Sequence, residues 1–216
     1  MLTLFEELLL LSIHETKGTY IRLSADRLKP GLVGAVIAEL ALQEKIHTSD
    51  NHRLKLMNDG QTNDAILDEM LGFLKGSEKE RKFGYWINTL IQKTEKIVRR
   101  ISENLVQKGI VTQDDDRLAW VIPSPLQTET KASTKYALIK RLRGIVLAQE
   151  EVELRDIVLL SLVRACGLLD LVFLRDERKF ASQFIYELEI NKALNYPVIQ
   201  TIQEIEAAIA AIVEED

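Results

Sequence analysis

The sequence contains one cysteine, Cys166, among 216 residues. An internal disulfide and a multi-cysteine zinc or iron–sulfur site are therefore excluded. Proline (4) and glycine (10) are scarce, which excludes collagen-like, low-complexity and long disordered sequence. Positive charge is not in excess: 28 Lys and Arg stand against 33 Asp and Glu, for a net charge of −5 and a pI near 5.4. A globally basic nucleic-acid binder is not expected on that ground, although a local basic face is compatible with the count. No apolar run is long enough to span a bilayer. The richest, Ile157 to Leu174, is interrupted by Arg164 and Asp170, whereas a span needs about 20 mostly uncharged residues. A secretory signal is missing as well, because Glu6 and Glu7 stand where one would carry Lys or Arg. The expected location is the cytoplasm, with any membrane contact peripheral and at the inner face.

What is present is ordinary for a globular protein: 46% apolar and 28% charged residues, in a chain long enough for a real core. Apolar residues recur at helical spacing, which predicts a mainly all-α fold, a single helical domain over residues 1–216. Leu4, Leu8, Leu11 and Ile13 form the stripe of a first helix, and Gly18 to Leu23 alternates as a short strand would. Pro30 marks a helix start. The run to Leu42 that follows is apolar nearly all round, as a central buried helix requires. Further helices are predicted at 62–75, 78–108, 131–149, 153–174, 176–190 and 197–213. Leu32, Val36, Ile37, Leu40, Leu159, Leu162, Val163 and Cys166 are the expected core.

An internal echo links Glu39–Leu54 to Glu103–Leu118, with Glu, Gln, Ile, Thr, Asp, Arg and Leu recurring at an offset of 64. Each copy reads as a helix end followed by a β-hairpin, near 46–56 and 110–121. Helix plus hairpin also ends a winged helix, so the echo keeps a nucleic-acid reading open beside the plainer one of structural braces. Charge is uneven. Lys131 to Arg143 carries five cations and no acid over an apolar stripe, the pattern of a basic amphipathic helix that can lie on an anionic membrane. Lys93, Lys96, Arg99 and Arg100 form a second basic group. The stretch from Gln200 carries Glu204, Glu206, Glu214, Glu215 and Asp216, which should face water or a basic partner.

Candidate chemistry is thin. Gly31-Leu32-Val33-Gly34 lacks the Gly-Lys-Ser/Thr or third glycine of a phosphate loop, and reads as close helix packing. His47 and His52, with Asp50 between them, are followed by no further ligand at a metal-binding spacing. Asp64, Asp68 and Glu69 follow a cap-like Thr62-Asn63 and suit a helix N-terminus better than acid–base work. Cys166 lies among Leu162, Val163, Leu168 and Leu169, a core setting for an inert thiol. No enzyme activity, metal or cofactor is implied. Trp86 reads as core. Trp120, on the second hairpin, is compatible with core, a dimer interface or a membrane edge.

An ordered set of motifs resembles the Golgi phosphoprotein 3 family. It comprises Leu2-Thr3-Leu4-Phe5-Glu6-Glu7-Leu8, Gly31-Leu32-Val33-Gly34 running into Glu39-Leu40-Ala41-Leu42, Leu67-Asp68-Glu69, and Asn104-Leu105-Val106-Gln107-Lys108-Gly109. Lys135 to Leu147 and Arg155 to Asp170 follow in the same order. The resemblance implies a mostly helical domain that binds phosphatidylinositol 4-phosphate and, in eukaryotic members, holds glycosyltransferases in the Golgi. There a tryptophan and three arginines line the lipid pocket beside a hydrophobic hairpin. Those four positions fall on Ser24, Val33, Glu95 and Val98, so none of the four ligands is kept. Arg22, Arg27 and Lys29 lie near the first two, and Lys96, Arg99 and Arg100 near the others. The basic leader of the eukaryotic members does not precede the first motif, so the resemblance is to a prokaryotic-type member.

The expectation is a non-enzymatic peripheral membrane protein that binds an anionic or phosphorylated lipid head group. Arg27, Lys96, Arg99 and Arg100 would carry the binding, and the Trp120 hairpin would touch the membrane. A client protein and a homo-oligomer fit an adaptor of this kind. The second reading is a soluble interaction or scaffold protein that has lost lipid binding. A winged-helix-like nucleic-acid binder is third.

Overall fold

The structure is a computed structural model that describes residues 1–13, 25–114, 117–120, 132–193 and 196–214; at 25–26, 112–114, 117–120, 132–133 and 193 it describes the backbone alone. Among these residues the fold is mainly all-α. The expected strand at Gly18–Leu23 lies outside them, as does Ser24.

Helix α1 (Leu4–Ser12) starts at a reciprocal cap. The Glu6 N–H donates to the Thr3 hydroxyl, and the Thr3 N–H donates to the Glu6 carboxylate at 2.8 Å. Every residue of α1 is buried, Glu6 and Glu7 included. Helix α2 (Ala25–Leu42) begins five residues before the start expected at Pro30. Pro30 is tolerated because it deletes a single backbone donor just beyond the first turn, whose donors are unpaired anyway. As expected from its all-round apolarity, α2 is the central helix. It contacts α1, α3 (Ala65–Lys75), α4 (Phe83–Ile91), α5 (Thr94–Gln107), α7 (Leu154–Ala165) and α9 (Pro197–Glu214). Gly31 and Gly34 permit that packing. A Cβ on Gly31 would stand 2.1 Å from the Cys166 Sγ, and one on Gly34 would stand 2.6 Å from Ile205. All eight residues expected in the core are buried, as is Trp86. Each buried aliphatic chain contributes on the order of 1.5–3 kcal/mol.

Two expected helices are broken. The segment 78–108 has an extended start, in which β3 (Arg81–Lys82) pairs with β2 (Arg53–Leu56), and then splits into α4 and α5 around Gln92–Lys93. No glycine or proline marks this break. It lets α4 pack on α9 while α5 packs on α1. The segment 153–174 ends as α7 at Ala165, because Gly167 takes φ +68° and the Leu168 N–H returns to the Val163 carbonyl at 2.9 Å. A short 3-10 turn, Leu169–Leu171, precedes α8 (Arg178–Ala193).

Both echoed segments are helix–hairpin units. After α2 come β1 (Ile46–Thr48) and β2 (Arg53–Leu56), and after α5 come β4 (Val111–Asp114) and β5 (Arg117–Trp120), each pair antiparallel. The structural offset is 65 up to the turn: the Lys45 N–H returns to Leu40 O and the Ile110 N–H to Leu105 O, each at 2.9 Å. It becomes 64 on the second strand, since the first turn is one residue longer. The sequence echo of 64 is thus in register only after the turn.

Candidate functional site

Helix α3 is placed by its own acids. The Asp64 carboxylate accepts the Ile66 and Leu67 N–H groups at 2.8 and 3.1 Å, and the Asp68 carboxylate accepts both the Thr62 N–H and its hydroxyl at 2.8 Å. Those bonds from Thr62 hold the Asp68 carboxyl below its usual range. Asp64 is therefore the N-cap of α3, and Asp68 ties the preceding turn at Thr62 to the helix. Ile66, Leu67, Met70, Leu71 and Leu74 bury one face of α3, and Glu69 is left pointing across to α5.

On α5, Lys96 and Arg100 are one turn apart and meet that carboxylate. The Lys96 Nζ lies 2.9 Å from Glu69 Oε1, and Arg100 Nη1 donates to Glu69 Oε2. The hydrogen bond from Lys96, with help from Arg100, holds the Glu69 carboxyl low. Next to them the Lys93 ammonium sits 4.2 Å from the Phe73 ring centroid. Below lies an apolar crevice walled by Val33, Val36, Ile66, Met70, Phe73, Leu90 and Ile97. Its free space is about 20 Å³, little more than one water. A charged group can sit at the mouth; an acyl chain cannot enter.

Of the expected site residues, Lys96 and Arg100 are brought together. Arg99 lies a third of a turn away, with a side chain 72% exposed and its Nε 3.9 Å from Glu103. Arg27 is on another face of α2. Its guanidinium donates to the Ala165 carbonyl at 3.4 Å, on the side where Gly31 meets Cys166 rather than the side where Val33 meets the crevice. The Trp120 backbone pairs with Val111, and its side chain lies outside the described residues. Of the family's ligand positions, Val33 is in the crevice wall, Glu95 is exposed on the first turn of α5, and Val98 packs half-buried on the core.

The segment expected as a basic amphipathic helix behaves differently from its sequence pattern. On α6 (Ala132–Leu147), Lys135 is buried and donates to the Ile13 carbonyl at 2.7 Å. Arg141 reaches Glu7 and Asp156, each at 3.0 Å. Arg143 forks onto Glu177 at 2.7 and 2.8 Å. Three of its cations thus serve interior or interhelical pairs, so α6 does not present the basic face that its sequence suggests. The same holds for part of the acidic stretch. Glu204 pairs with His52 at 2.6 Å. Glu206 shares the Arg164 Nη2 with Glu189, all four oxygens lying at 2.8–2.9 Å. Burial pushes the Glu206 carboxyl up to about 8, and the Glu189 charge adds to that shift against the pull of Arg164. Burial likewise raises the Cys166 thiol to about 12, consistent with an inert core residue.

Among the described residues no helix is long and apolar enough to cross a membrane. A sequence model described as Golgi phosphoprotein 3 matches residues 4–205. The chain is 25% identical over 174 residues to vacuolar protein sorting-associated protein 74 of Eremothecium gossypii, an alignment covering 71% of this chain and 51% of that protein. The chain thus spans about half the length of this curated relative.

Proposed function

The chain belongs to the Golgi phosphoprotein 3 family, and from that premise we propose a peripheral, non-enzymatic adaptor that docks on anionic membrane surfaces. The cations at the α3–α5 crevice make the contact. The observation that carries this reading is positional. Val33, one of the family ligand positions, lies in the wall of the crevice that Lys96 and Arg100 border, whereas positions 95 and 98 are on the same helix α5 but turned to other faces. Cations close in sequence to the lost arginines thus border the crevice that Val33 walls. The curated relative's name ties that protein to vacuolar sorting, which agrees with an adaptor that brings a client protein to a membrane.

Recognition here is by charge. The narrow crevice excludes an acyl chain, and Lys96, Arg99 and Lys93 are solvent-accessible cations. Each such residue near an anionic surface contributes about 1 kcal/mol, and the attraction is screened over about 8 Å at physiological ionic strength. The test is flotation with phosphatidylcholine vesicles, with and without phosphatidylserine or a phosphoinositide, at two salt concentrations. Arg99→Ala/Arg100→Ala should weaken binding to phosphatidylserine vesicles about thirtyfold, with a loss on phosphoinositide vesicles as well, and more salt should weaken the wild type. A loss confined to the phosphoinositide would replace charge attraction with specific head-group capture. A wild type that ignores anionic vesicles even at low salt would leave a soluble scaffold instead.

A further inference from the structure

The crevice mouth contains its own anion. Glu69 stands between Lys96 and Arg100, one carboxylate oxygen to each. Its setting differs from that of the interior acids. Glu6, Glu7 and Glu39 have side chains 0–8% exposed. Glu39 is also tied to a backbone donor, the Leu4 N–H, at 2.7 Å. Glu69 is 30% exposed, and Lys96 and Arg100 are 47% and 34% exposed. Ion pairs this open are weak, so an external anion can compete for both cations. On the same surface, Lys93 and Arg99 are counterbalanced only in part by Glu95 and Glu103 on α5.

We propose that Glu69 is an internal counter-anion that occupies Lys96 and Arg100 in the free protein and must be displaced before they hold a phosphate-bearing anion. This rests on the membrane reading above and adds a restraint to it. The free protein shows a muted surface charge. A phosphomonoester, which carries up to two charges against the single charge of Glu69, gains most from the exchange, because a singly charged phosphodiester replaces the carboxylate with no gain in charge. The swap needs only a side-chain rotation of Glu69, since α3 is fixed by its apolar face and by Asp64.

The experiment compares Glu69→Gln with Glu103→Gln, which removes one acid from the same surface without freeing a cation pair. Both are floated with phosphatidylcholine vesicles carrying phosphatidylserine or phosphatidic acid. Added net charge alone should strengthen either variant about fivefold. Displacement predicts a gain for Glu69→Gln at least fivefold beyond that of Glu103→Gln, larger on phosphatidic acid. It also predicts no such excess when Glu69→Gln is placed on Lys96→Gln/Arg100→Gln. Thermal melts confirm that each variant is folded. Glycerol 3-phosphate in solution is a second arm. Excess gain on vesicles alone assigns the cation pair to a lipid surface, and excess gain in both arms assigns it to a free phosphomonoester as well; either supports displacement. Equal gains for the two variants overturn it while leaving the membrane reading intact. If wild type and Glu69→Gln both ignore every anionic vesicle and glycerol 3-phosphate, both conclusions fall.

Discussion

One guanidinium between two carboxylates should make stability fall as pH rises. Arg164 on α7 meets Glu189 on α8 and Glu206 on α9, so the cluster carries one more acid than base where three helices meet. The Ser161 hydroxyl donates to Glu189 at 2.6 Å, and the Tyr186 ring lies 5.7 Å from the Arg164 guanidinium carbon. Glu206 is 18% exposed, and burial followed by the Glu189 charge moves its carboxyl from 4.5 to about 8. Between those two values the folded chain keeps a proton that the unfolded chain releases. The stabilisation from this group is complete below about 4.5 and declines as pH rises through about 8.

At about 1.4 kcal/mol per pH unit, the whole window amounts to ~5 kcal/mol. Proton sharing and partial solvation of the cluster reduce the expected change to ~2–5 kcal/mol. Glu206→Gln removes the titration while imitating the neutral acid. Urea unfolding at pH 5 should show wild type and variant within about 1 kcal/mol of each other. By pH 9 the variant should be the more stable by ~2–5 kcal/mol. Two curves that run parallel from pH 5 to pH 9 would refute the reasoning and mean that Arg164 neutralises both carboxylates in the folded state.

Two further predictions concern packing. Leu162→Ala, at a position with no exposed surface, should cost about 2–5 kcal/mol by chemical denaturation; a loss of a few tenths would show that α7 is not packed as described. Gly31→Ala should cost about 1–3 kcal/mol, because its Cβ would stand 2.1 Å from the Cys166 Sγ. Cys166→Ala in the same chain should restore much of that loss, and a double-mutant cycle with no coupling would show that the close approach is not what holds the glycine.

Apolar periodicity was enough to read α2 as the central helix, and to place Leu162 and Cys166 inside, because burial on every side leaves no polar face to misjudge. It failed at Gln92–Lys93. The apolar positions 83, 86, 87, 90, 97, 101 and 105, with the buried Thr94 among them, continue at helical spacing through the break. Periodicity records which residues avoid water but not the direction in which the chain then runs, and that direction follows from α9 and α1 occupying different places beside α2. At the site, the basic group on α5 and the Leu67-Asp68-Glu69 motif were both visible in the sequence. Their meeting was not, since Glu69 and Lys96 are brought together only by the packing of α3 and α5 on α2.

The case of α6 shows why a basic stripe is a poor guide to a binding face. Helix α1 buries Glu6 and Glu7 completely or nearly so, and a buried carboxylate is tolerated only with a cation and hydrogen bonds beside it. Lys108 answers Glu6, while Arg141 and Arg155 answer Glu7, from 102 to 148 positions away along the chain. Two acids in an otherwise apolar first helix are therefore a demand for cations elsewhere, and the strongly basic segment is one place where the demand is met. The cations available to a membrane are those left after this pairing. By that reckoning Arg141 and Arg143 are committed to the interior or to other helices. Lys93 and Arg99 remain open, and Lys96 and Arg100 are held only by the half-open Glu69. Charge remaining after interior pairing, rather than charge density along the sequence, is the ground on which the membrane contact is proposed for α5 rather than for α6.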